Sequence, residues 1–184
     1  MQWSKAKQRA ESLFAPSVAG RVALRVTGYR AAPHGEGRGW IAVDGEEAWS
    51  FCTFRHDGDR YQLAQRIRSA SASLDWRDPA QLDNYRTADD QAAAILAQRG
   101  IVGRSAFTSA IEEYASMSVE EALASDNLIH RALAVLDRRL GRRRLRGLEF
   151  RTDEHSLVTG LYRFRQSCEG HPVLENAPSG RTRG

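Results

Sequence analysis

Lysine is almost absent from this chain. Of its 184 residues only Lys5 and Lys7 are lysines, against 25 arginines. The net charge of +4 and the pI near 9.4 therefore rest almost wholly on guanidinium groups. Such a skew, with alanine abundant beside it, is what a GC-rich coding bias produces, so arginine count alone does not make the chain a polyanion binder. Cysteine is as scarce: Cys52 and Cys168 are the only two, with no Cys-x-x-Cys. That excludes a disulfide framework and a local thiolate metal site, and predicts reduced, buried thiols in a reducing compartment. No apolar run approaches the roughly 20 residues that span a bilayer. The start, Met1-Gln2-Trp3-Ser4-Lys5, leads into an amphipathic stretch rather than the apolar region of a signal peptide. These absences predict a cytoplasmic protein with no membrane partner.

Motifs for catalysis and cofactors are missing as well. The five histidines, at 34, 56, 130, 155 and 171, include no i, i+4 pair and no His-Glu-x-x-His, so no metal is expected. There is no Gly-x-Ser-x-Gly for a hydrolase elbow. Gly35-Glu36-Gly37-Arg38-Gly39 leads into a strand-like run, whereas a phosphate-cradling loop opens a helix, so it reads as a connector. The acidic pairs Asp89-Asp90, Glu112-Glu113 and Glu120-Glu121 fall in helical patterns, where adjacent residues diverge by about 100° and form no acid–base dyad. No cofactor and no catalytic residue are predicted. An enzyme would need a pocket built from distant residues such as Cys52, His56, Asp57 and Tyr61.

The patterning that is present predicts an α+β fold: an N-terminal helix, a three-stranded antiparallel meander, then a helical C-terminal half. Trp3, Ala6, Ala10, Leu13 and Phe14 give a helix over 2–14, and Val22, Leu24 and Val26 alternate in a strand over 21–30. Helices are expected over 59–70, 88–99 (capped by Thr87) and 104–116. A short helix follows, opened by the Ser118–Glu121 capping box. Then comes a helix capped by Asp126 with Ile129, Leu133, Leu136 and Leu140 inward, closed by Gly141. A last helix begins at Asp153. Residues 1–169 form one domain (1–58 helix and sheet, 59–169 helical), and 170–184 a flexible tail.

Two surfaces are candidates for contact. Asp44-Gly45 between apolar runs predicts a type I′ hairpin. Its simplest register sets Val43 against Glu46 and Trp40 against Trp49, placing Arg38, Trp40, Trp49 and Phe51 on one face. Such a face stacks bases, holds a partner or is covered by the following helices. The second surface is the densest charge in the chain, six arginines within 138–146. From 131 to 151 eight arginines meet two acids, a local +6 that exceeds the +4 of the whole chain. Arg138 and Arg139 suit a helix C-terminus. Arg142, Arg143, Arg144 and Arg146 either face a partner or pair with the acids of 111–126.

The start Met1–Lys5, the turn Gly37-Arg38-Gly39-Trp40-Ile41, Ser50-Phe51-Cys52 and the stretch from Ser125-Asp126-Asn127 through Leu145 resemble a family of small bacterial hypothetical proteins. The resemblance spans about 1–169. It implies no activity, cofactor or catalytic residue. The expected function is a non-enzymatic protein-binding module using Arg38, Trp40, Trp49, Phe51, Arg142, Arg143, Arg144 and Arg146. Nucleic-acid binding through 138–146 is the alternative.

Overall fold

The computed structural model describes residues 2–30, 36–70, 77–79, 81–150 and 152–170, without the side chain of Asn84. The fold is α+β, with strands segregated near the N-terminus and helices after them. Helix α1 (Trp3–Ser12) precedes β1 (Val22–Gly28), β2 (Gly37–Val43) and β3 (Glu46–Cys52). Then come α2 (Thr53–Ala70), α3 (Leu82–Gln98), α4 (Arg104–Tyr114), α5 (Val119–Ala124), α6 (Leu128–Ala134), α7 (Arg142–Arg146) and α8 (Ser156–Cys168). The strands form an antiparallel sheet in the order β1-β2-β3. The expected tail and the 31–35 loop lie outside the described residues, apart from Gly170.

Asp44 and Gly45 both take positive φ, 52° and 89°, as a type I′ turn requires. Beyond the turn the register departs from the simple one. Val43 pairs with Glu46 and Ala42 with Glu47, but Ile41 then faces Trp49 and Trp40 faces Ser50, because Ala48 is bulged out of β3. The physical reason is burial. Without the extra residue, Ala48 and Ser50 would point to the helices. With it, Trp49 and Phe51 do, and far more apolar surface leaves water. Phe51 is 1% exposed and stacks on Phe107 of α4, ring centroids 4.6 Å apart. Gly39 lies under the same ring: a Cβ there would sit 2.2 Å from Phe107, so only glycine permits this approach. Val22, Leu24 and Ile41 complete the buried face of the sheet, covered by α1 and α4.

The helical half differs from expectation mainly at element ends. α2 starts at Thr53, straight after β3, and not at 59. α3 starts at Leu82; Thr87 sits inside it, its hydroxyl donating to the Asp83 carbonyl. The capping box forms as expected, Ser118 and Glu121 each accepting the other's backbone N–H. Asn127, not Asp126, caps α6, and His155, not Asp153, caps α8. α6 stops at Ala134. Leu136 and Leu140 are still fully buried, but by a turn. Within it the Phe14–Ala15 segment bridges to Asp137, with Ala15 N–H on the Leu136 carbonyl and Arg138 N–H on that of Leu13, both at 2.7 Å.

A buried polar network fixes this turn. Arg165 of α8 donates to the carbonyls of Val135 (3.0 Å), Asp137 (2.7 Å) and Leu140 (2.6 Å), and its Nε to Glu169 at 2.9 Å. The fully buried Asp137 carboxylate accepts from Tyr114 (2.6 Å) and from Arg139. Burial, then the Asp137 contact, pushes the Tyr114 phenol far above its ordinary value. Gly141 does not close α6. It is the extended N-cap of α7 (φ −61°, ψ 157°).

Candidate functional site

The bulge divides the four residues expected on one sheet face. Phe51 is in the core and is no contact residue. Trp49 turns to the helical side, its ring edge-on to His155 at 4.7 Å and its Nε1–H donating to the Gly100 carbonyl at 3.3 Å. Arg38 and Trp40 stay on the outer face. The Arg38 guanidinium lies over the Trp40 ring at 4.7 Å and pairs with Glu47 at 2.7 Å. Arg25, the exposed cross-strand partner of Trp40, stands beside them.

The outer face also gathers residues that the one-strand pattern did not group. Cys52 is the cross-strand partner of Arg38, and the Tyr29 hydroxyl sits 3.6 Å from its sulfur. Tyr29 stacks on Phe54 (5.5 Å), the second residue of α2, which is 52% exposed. The result is a strip of Trp40, Arg38, Cys52, Tyr29 and Phe54. Burial would raise the Cys52 thiol, but the amides of Arg55 and Phe54 at the start of α2, with the Tyr29 hydroxyl and Arg38, outweigh it and hold the thiol below its ordinary value. The same contact raises the Tyr29 phenol. Both cysteines are free and half-buried.

The residues weighed for a distant pocket do not form a relay. Cys52 has Tyr29 as its side-chain partner, His56 has its neighbour Asp57 (2.9 Å), and Tyr61 is 61% exposed. Among the described residues no cluster of three or more His, Cys, Asp or Glu is placed to hold a metal, and no helix is long and apolar enough to cross a membrane.

The arginine segment both pairs with acids and faces solvent. Arg139 is tied to buried Asp137, and Arg144 reaches Glu120 at 2.6 Å, drawing that carboxyl below its usual range. Arg142 approaches Glu169 at 3.7 Å, but that carboxylate already holds Arg165 at 2.9 Å. All four arginines of α7 are exposed around the buried anchor Leu145. The segment thus combines ion pairs with solvent-exposed guanidinium groups.

Residues 2–166 match the sequence profile of the SF0329 protein family. The chain belongs to the SF0329 protein family. Among curated proteins and solved structures, none matches it. The family match takes in β1 to β3 and α7, and so both surfaces of this SF0329 chain.

Proposed function

We propose that the chain is a bacterial, cytoplasmic, non-enzymatic module that works by binding another protein through the outer face of its sheet. One observation carries this reading: the bulge at Ala48 buries Phe51 yet leaves Trp40 outward, with Arg38 over its ring and Arg25 beside it. Tryptophan, tyrosine and arginine are the residue types that dominate binding hot spots, and Tyr29 and Phe54 extend the strip. The test is capture from native lysate at mild salt with wild type, Trp40→Ala, and an Arg142→Glu/Arg143→Glu/Arg144→Glu variant. A stoichiometric protein retained by wild type and the triple variant but lost with Trp40→Ala is expected. Recovery of no stoichiometric protein counts against it.

The four exposed arginines of α7, in the most arginine-dense stretch of the chain, favour a second reading, nucleic-acid binding. It predicts an affinity that falls steeply with salt and disappears in the triple glutamate variant. No gel shift of DNA or RNA at low salt sinks it.

A further inference from the structure

We propose that the partner docks as an extended, acidic segment that adds a strand to the free edge of β3. This rests on the protein-binding reading and specifies its mode. Among the described residues, the sheet order leaves β3 without a neighbour on its outer side. Which groups point outward follows from the pairing. The Leu24 N–H of β1 donates to Glu11 of α1 at 2.8 Å, so Leu24 faces away from β2 and its neighbours Ala23 and Arg25 face β2. Their partners Ala42 and Trp40 then turn toward β1, while Ile41 and Gly39 turn toward β3. On β3 the partners of Ile41 and Gly39 are Trp49 and Phe51, so the backbone groups of Ser50 and the N–H of Cys52 point out of the sheet.

Ser50 and Cys52 line a cavity of about 290 Å³ between the β3 edge and the 99–102 segment. Its lining includes Arg55 and Arg99, both exposed, and one acid, Glu47. Glu47 is neutralised by Arg38 at 2.7 Å, and Arg55 has only a long 3.8 Å contact to Asp59. The groove thus combines unpaired strand amides with two cations, the complement of an extended chain bearing carboxylates. Backbone pairing supplies affinity, and the arginines choose the sequence. Trp49, hydrogen-bonded to Gly100 across the groove, holds the 99–102 wall in place.

The test is selection from a displayed library of random nine-residue peptides, followed by fluorescence anisotropy with the enriched sequences. Enriched peptides carry net negative charge, lose at least tenfold in affinity when a central amide is N-methylated, and lose at least tenfold against an Arg55→Glu/Arg99→Glu variant. N-methylation alters only the peptide, so it reads the backbone pairing in an unperturbed fold. No enrichment, enrichment of basic peptides, or N-methylated peptides that bind as well as their parents would overturn the proposal. If a partner captured from lysate is lost with Trp40→Ala yet insensitive to Arg55→Glu/Arg99→Glu, protein binding stands and strand addition falls.

Discussion

Replacing Arg165 with methionine probes the most heavily committed side chain in the fold. Arg165 is 2% exposed and fastens three carbonyls of the 135–140 turn as well as Glu169, whose side chain is 3% exposed. Methionine keeps much of the aliphatic stem and removes every donor. Glu169 is then a buried carboxylate without its main counter-ion, a loss of about 3–5 kcal/mol by analogy with other broken buried pairs. Each carbonyl left dry adds about 1–3 kcal/mol, but the turn borders exposed Arg138 and Gly141, so water reaches part of it. The expected total is about 5 kcal/mol, a third or more of a typical domain's stability. Urea unfolding followed by tryptophan fluorescence should show the midpoint falling with the slope unchanged. Adding Glu169→Gln removes the orphaned charge and should return about 1–2 kcal/mol, and Arg165→Lys should fall between wild type and methionine. A loss below about 1 kcal/mol for Arg165→Met would refute the reasoning, because the guanidinium would then only be replacing bonds that water makes equally well.

Gly39→Ala drives a Cβ into the Phe107 ring, 2.2 Å away. It should lower stability by about 1–3 kcal/mol in a thermal melt, with partial rescue by Phe107→Leu. His130, 5% exposed, is held below its ordinary pKa by burial, against the opposing pull of Glu113 and the Ala110 carbonyl. Its unfolded form therefore takes up a proton first, so stability falls as pH drops through and below about 6.5, and His130→Gln should flatten that slope. Parallel losses in both proteins between about pH 7 and 5 would contradict it. Cys52 should alkylate with iodoacetamide at lower pH than Cys168, whose thiol burial raises. Peptide mapping across a pH series reads both midpoints, and coincident or reversed midpoints refute the assignment.

Features written in a few consecutive residues were legible before the structure. The Asp44-Gly45 turn and the Ser118–Glu121 box each carry their own geometry and formed as read. Features decided by distant partners were not. The Ala48 bulge is set by how much aromatic surface the helices can bury over Gly39, which no alternation within β3 reveals. The inward positions Ile129, Leu133, Leu136 and Leu140 were identified correctly, but periodicity does not distinguish a helix from a buried turn whose carbonyls are taken by an arginine 25 to 30 residues away. For the same reason Gly141, which the local pattern places after a helix, begins α7 instead. For the site, Arg38 and Trp40 kept their expected face, whereas Tyr29 and Phe54 joined it through contacts that cross the sheet and enter α2. On α7, exposure and ion pairing proved compatible, since Arg144 reaches Glu120 while remaining exposed.

The seam between residues 13–17 and the turn beyond α6 has a consequence for synthesis. Leu13 and Ala15 find their partners at 136–138, and Ser17 reaches Glu169 across 152 residues. Contacts so distant in sequence slow folding, because the loop must close before anything rewards it. A nascent chain emerging from the ribosome can assemble its hairpin early, but Phe14 and Ala15 lack their bridge partners until the turn beyond α6 exists, and that turn is not clamped until Arg165 has been made. Translation thus leaves apolar surface made early waiting on a side chain made much later, a window in which stalled or truncated products are prone to aggregate and a holding chaperone has something to grip.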